Sequence, residues 1–151
     1  MAFSIRKVDY YYATIRDQPE EAYKLLSDLA ECGVNLLAFT SVPIGPVHNQ
    51  LTIIPEDDQK LQSEAKKVPF TLDGPHPALF VRGDDELGAL ADIHRQLHEN
   101  NVTVYASSGI SHSAGSYGYL LYIKPEEFSA AAKALGLEHS AEVSYTALKI
   151  S

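Results

Sequence analysis

A single cysteine, Cys32, among 151 residues excludes an internal disulfide and a thiolate cluster for a metal. Its expected place is that of a small packing residue near a helix end. Basic residues are also scarce, with 12 Lys and Arg against 20 Asp and Glu for a net charge of −8. The deficit is shared along the chain, seven basic against eleven acidic residues up to residue 73 and five against nine beyond it. Binding a phosphate backbone needs a clustered basic face, whereas the densest basic runs are Arg6-Lys7 and Lys66-Lys67, so no nucleic acid partner is expected. No stretch approaches the ~20 apolar residues of a membrane span, and residues 1–12 hold no apolar core of signal-peptide length. A cytoplasmic chain with no membrane partner is the expectation. What remains, 45% hydrophobic and 21% charged residues, is the composition of an ordinary folded protein.

An internal repeat organises the chain. A shift of 68 residues lines up Ala22 with Leu90, Leu25 with Ile93, Leu29 with Leu97, Val34 with Val102 and Leu36 with Val104. Farther on the shift becomes 70, pairing Pro55-Glu56-Asp57 with Pro125-Glu126-Glu127, as a two-residue insertion in the second hairpin would explain. A unit of half this length buries only about 60% of the surface its unfolded chain exposes, so the two copies are expected to pack together.

Each copy reads alike. Aromatic and β-branched residues mark a first strand at Val8–Ile15, with its three tyrosines, and at Ala78–Arg82. The three tyrosines should alternate between the core and the outer sheet face, where an outward ring could anchor a homodimer. A helix follows: Pro19 suits its first turn, Glu20 and Glu21 suit its dipole, Asp17 is a candidate cap, and Gly33 can end it in a left-handed conformation. Leu90, Ile93 and Leu97 give the second copy the same apolar stripe, with Asn100-Asn101 replacing the terminating glycine. Second strands at 34–42 and 102–108, third strands at 50–54 and 119–123, and second helices at about 56–67 and 125–135 come next. Phe70–Leu72 and Val143–Ile150 close the copies, and the turn chemistry of Asp73-Gly74-Pro75 places the boundary between units 1–73 and 74–151. The order strand, helix, strand, strand, helix, strand, taken twice, predicts an α+β fold of two ferredoxin-like βαββαβ units side by side, antiparallel sheet on one side and helices on one face.

Such a topology hosts many functions, and the sharper signal is local. Arg82-Gly83-Asp84-Asp85-Glu86-Leu87-Gly88-Ala89-Leu90-Ala91, followed by Ile93, Leu97 and Asn101-Val102, resembles the opening of an ACT domain, a strand running into an Asp-x-x-Gly loop and a helix. Here the motif residues are Asp85 and Gly88. The resemblance implies units paired into an eight-stranded sheet that bind an amino acid between the loop of one unit and the second strand of its neighbour. Gly88 would let a ligand approach backbone, helix N-terminal amides would receive a carboxylate, and Asp84 and Asp85 would receive an ammonium group. In the alternative reading Asp85 caps the helix and Gly88 only permits close packing.

The first copy departs from the motif, with Pro19 and Glu20 where the second has Leu87 and Gly88, but it keeps Asn35, which resembles the family's ligand-contacting amide. The resemblance therefore implies one composite ligand set, Asp84, Asp85, Glu86, Leu87 and Gly88 with Asn35, Leu36 and Leu37, and a degenerate mirror set at 17–21 and 103–105. The function expected is that of a non-catalytic regulatory protein that binds a small molecule, an amino acid by resemblance, without a cofactor. It would pass the signal to a partner enzyme or regulator, with a homodimer as a further expected assembly. An assembly domain without ligand is one alternative. A small ferredoxin-like hydrolase is another, weakened because Asp84-Asp85-Glu86 has the wrong sign for a phosphate cradle and Arg82 alone is insufficient.

Other constellations carry less. His94 and His98 have metal-compatible spacing but no helical third ligand, and flank positions explain them. His48 and His112 fall in polar hairpins. Ser107-Ser108-Gly109 lacks the strand-turn-helix setting of a nucleophile elbow, and Gly115 and Gly118 lack the spacing of a phosphate loop.

Overall fold

The computed structural model describes residues 3–137. Its elements run β1 (Phe3–Arg16), α1 (Pro19–Glu31), β2 (Leu36–Ile44), β3 (His48–Pro55), α2 (Asp58–Glu64), β4 (Asp73–Asp84), α3 (Ala89–Glu99), β5 (Val104–His112), β6 (Ser116–Ile123) and α4 (Phe128–Ala134). Single 3₁₀ turns extend α2 at Ala65–Lys67 and precede α4 at Pro125–Glu127. The six strands and four helices make an α+β fold in which β1 with β3, β2 with β3, β4 with β6 and β5 with β6 all pair antiparallel.

Two compact units result, one of Asp9–His76 and the other of residues 3–8 with 77–137. In the first, alternate strand residues Tyr11, Ala13, Ile15, Leu51 and Ile53 meet Leu25 and Leu29 of α1 and Leu61 of α2. The second repeats the scheme, with Leu79, Val81, Tyr119, Leu121 and Ile123 against Ile93 and Leu97 of α3 and Ala131 and Ala132 of α4. In each unit the helices cover one sheet face, as period-two strands and 3.6-period helices require. Burying a side chain such as Ile93 or Leu97 contributes about 1.5–3 kcal/mol.

The helix ends follow their sequences, with two corrections. Gly33 sits at φ +76° after α1 and Asn101 at φ +56° after α3, and behind them Val34 N–H donates to Leu29 O and Val102 N–H to Leu97 O. Asn101 thus does the work of the glycine, because Asn tolerates the left-handed region best among residues with a Cβ. Cys32 is the half-buried C-cap of α1, packed at the edge of the first core. Neither expected acidic cap is one: Gln18 is the N-cap of α1 and Gly88, at φ +84°, the N-cap of α3, both without a side-chain cap bond.

Both long strands exceed their sequence signals. Residues 73–75 are not a turn but the start of β4, because Gly74 is needed for close approach: a Cβ there would lie 2.7 Å from Tyr11 Cδ2 and 2.8 Å from Tyr10 O. Phe70 and Leu72 are not a strand either; they pack against the first core as a connection, and the closing position beside β1 is taken by residues 73–76. In the second unit the equivalent position beside β4 is taken by residues 3–8, where Ile5 joins the core and Ser4 Oγ donates to Arg82 O at 3.4 Å. The eight-stranded arrangement becomes six strands among the described residues, and Val143–Ile150 lies outside them.

The expected insertion in the second hairpin is also absent. Leu36 pairs with Pro55 and Ile44 with His48, while Val104 pairs with Ile123 and His112 with Ser116, every position displaced by 68. Even the irregularities match, between Leu36 and Ala38 and between Val104 and Ala106. The two additional residues enter after β6, where the 3₁₀ turn Pro125–Glu127 precedes α4. Among the described residues, no helix is long and apolar enough to cross a membrane.

Candidate functional site

In the second unit β4 ends at Asp84, Asp85 N–H donates to Gly115 O of the neighbouring hairpin, and the loop then rises into α3. This anchored exit leaves a recess of about 340 Å³ between the start of α3 and the ends of β5 and β6. Asp85, Glu86 and Gly88 line it from the loop, Leu90 and Ala91 from the helix, and Gly109, Ser111, Tyr117 and Gly118 from the hairpin. Of the loop residues expected to bind a ligand, Asp84 and Leu87 do not line the recess, and Leu87 points wholly into solvent.

Two kinds of unsatisfied group meet there. Ala89 N–H donates to Glu86 O and Asp92 N–H to Gly88 O, but the amides of Leu90 and Ala91 between them make no hydrogen bond, and a glycine cap has no side chain to offer them. First-turn amides of this kind, at the positive end of the helix dipole, attract a carboxylate or another anion. Opposite in sign, the exposed carboxylates of Asp85 and Glu86 take no part in a hydrogen bond or ion pair. Asp92, one turn on, is engaged by Arg95, which holds its carboxyl below the usual range.

The hairpin floor was not foreseen. The sequence reads 109–118 as turn-rich, whereas β5 runs to His112 and the turn is confined to residues 113–115, with His112 Nδ1 accepting from Ala114 N–H at 3.2 Å. The β5–β6 register sets Gly109 opposite Tyr119 and Ser111 opposite Tyr117. A Cβ on Gly109 would come within 2.9 Å of the Tyr119 ring, so this glycine allows Tyr119 to lie flat beneath α3, where its hydroxyl meets His94 Nε2 at 2.6 Å. That bond gives His94 a packing role. Tyr117 is only 5% exposed, and its hydroxyl has no hydrogen-bond partner. Burial first, then the charges of Asp84, Asp92 and Glu86, hold its phenol above the usual value.

The first unit builds the same corner differently. Asp17 N–H donates to Val47 O, the counterpart of the Asp85–Gly115 bond, but Asp17 Oδ1 also accepts from Asn49 Nδ2 at 3.3 Å. Asn49 stands at the position of Tyr117, as their pairings Asn49 with Pro43 and Tyr117 with Ser111 show. Its loop acid is thus satisfied internally, and Pro19 occupies the first helical turn. Asn35, expected in the ligand set, donates from Nδ2 to Glu56 Oε2 at 2.8 Å and accepts Leu36 N–H at Oδ1, 3.1 Å away. Leu36 packs on the first core and Leu37 sits at the β2 irregularity.

No family model matches the chain, and no curated protein does. Solved structures do. The regulatory subunit of aspartate kinase from Thermus thermophilus superposes with TM-score 0.57 at 16% identity, over 91% of this chain and 95% of that one. The chain has an ACT-like fold. The same ACT-like arrangement recurs in the regulatory subunit of aspartate kinase from Thermus flavus, TM-score 0.52 at 16% identity over 89% and 93% of the two chains. Protein BT0572 from Bacteroides thetaiotaomicron superposes with TM-score 0.73 at 15% identity, covering 88% of each chain.

Proposed function

We propose that this ACT-like chain is a regulatory module that acts by binding rather than by turnover, and that its ligand is an amino acid held in the recess of the second unit. The reading rests on one observation: the unpartnered amides of Leu90 and Ala91 face the same space as the unpaired carboxylates of Asp85 and Glu86. A zwitterion satisfies both, its carboxylate on the amides and its ammonium between the acids, through charge-assisted bonds. Gly88 serves as the cap that leaves those amides uncovered. The resemblance of the loop to an ACT opening and the likeness to regulatory subunits point the same way. The bound state is read by a partner enzyme or regulator.

A thermal scan against the twenty amino acids tests this. A ligand at 100 times its Kd adds about 2.7 kcal/mol, a rise of roughly 5–10 °C in Tm for a chain of this size. Calorimetry with the best ligand should then show Asp85→Ala weakening binding by about tenfold or more, as loss of one charge-assisted bond predicts. Silence from all twenty amino acids would leave an assembly domain as the better reading. An Asn35→Ala variant tests the other half of the expected ligand set, Asn35–Leu37, on its own.

A further inference from the structure

Resting on the reading of the recess as a zwitterion site, we infer that the Tyr117 hydroxyl selects the ligand's side chain, and that the site takes an amino acid with a short, neutral, polar side chain. Tyr117 lines the recess, is 95% buried by its 5% exposure, and carries the one hydroxyl among the recess residues that is both closed to water and without a partner. A buried hydroxyl left unpaired is costly, so its presence needs a compensating acceptor or donor. The backbone does not supply one, since β6 is already paired on both sides, to β4 at Gly83 and to β5 at Ser111.

Position decides what meets it. The α-carboxylate belongs at the helix amides and the α-ammonium at the loop acids, which leaves the ligand's side chain for the hairpin floor where Tyr117 stands. The glycines at 109 and 118 bring no side chain into that space, and Ser111 adds a second hydroxyl beside it. Charge then narrows the choice. Asp84, Glu86 and Asp92 all bear on the Tyr117 oxygen, so a second carboxylate there would be repelled, while an amide or hydroxyl would not. The protonated phenol donates to the ligand's oxygen. An aliphatic side chain of the same shape would leave that donor unpaired, and a site built to hydrogen-bond rejects such an analogue far more strongly than a plain apolar pocket does.

The first unit supports the assignment by contrast. At the position of Tyr117 it has Asn49, whose amide is tied to the loop acid Asp17, so no polar group is held in reserve there.

The test is calorimetry on the full chain with isosteric pairs, threonine against valine, asparagine against leucine and glutamine against glutamate, for the wild type, Tyr117→Phe and Asp85→Ala. The expected result is that the polar neutral member of at least one pair binds about tenfold or more tighter than its partner. Tyr117→Phe should cut that preference to within about twofold while leaving the weaker member's affinity unchanged, and Asp85→Ala should weaken both members. Since the hydroxyl makes no bond in the free protein, Tyr117→Phe should melt no lower than the wild type; a lower Tm would show the hydroxyl to be structural and overturn the inference. Discrimination that survives Tyr117→Phe, or its absence in the wild type, overturns the role of Tyr117 alone if Asp85→Ala still weakens binding. If no member of the panel binds the wild type, the zwitterion reading fails with it.

Discussion

Single residues carry the departures from plain repeat chemistry, and each can be weighed. Gly74 is surrounded: with φ +155° and a virtual Cβ 2.7 Å from the Tyr11 ring, it has no room for a methyl group. Gly74→Ala is expected to lower stability by about 2–3 kcal/mol, the range for forced overpacking, as measured by urea denaturation. Asn101 poses the opposite case. Its φ of +56° is the conformation glycine holds at Gly33, so Asn101→Gly should be neutral or stabilising by a few tenths of a kcal/mol, and Asn101→Ala should cost about 1 kcal/mol. Both residues were visible in the sequence, but only one correctly. A helix terminator is a local matter and Asn101 could be read from its neighbours, whereas the reason for Gly74 lies in Tyr10 and Tyr11, more than sixty positions away.

Elements tie these residues to the chemistry of their surroundings, and the middle of β1 shows how. Of its three tyrosines, Tyr11 turns to the helix-covered core and hydrogen-bonds Asp58 at the start of α2, with Gln62 Nε2 donating to its oxygen at 3.3 Å. Tyr10 and Tyr12 stack instead on His76, with ring centroids 5.2 and 5.6 Å away, and Tyr10 is buried rather than offered outward. Burial, and then the Asp58 acceptor, push the Tyr11 phenol well above its ordinary value. The folded state therefore keeps a proton that the unfolded chain releases near pH 10. The stabilisation is whole below about pH 10 and is lost as pH rises beyond it. Tyr11→Phe should cost about 1.5–3 kcal/mol at neutral pH, the worth of a bond to a charged acceptor, yet show a shallower loss of stability above pH 10 in denaturation series. The tyrosine alternation was legible because it depends only on the strand period. The β5–β6 register was not: a Ser-Gly-rich segment looks like a turn until its partner strand is known, so Gly109, Ser111, Tyr117 and Gly118 escaped notice while Asp85 and Gly88, set in a local motif, did not.

On the scale of the whole molecule, the repeat was legible because the apolar stripes of α1 and α3 and their terminators survive at a constant spacing of 68. The exchange of strand ends was not, because nothing local says that residues 3–8 should serve the second unit or residues 73–76 the first. A chain cut between 76 and 77 should accordingly yield a C-terminal piece that lacks Ile5 and the strand beside β4. By circular dichroism that piece alone is expected to be largely unfolded, and to gain structure when mixed with the N-terminal piece.

The same strand ends leave the repeat without a linker. Where duplicated domains usually join through an exposed tether, residues 73–76 here lie within a strand and residues 3–8 are claimed by the second unit. A protease looking for a domain boundary has none to find, and limited digestion should consume the chain without releasing a stable half.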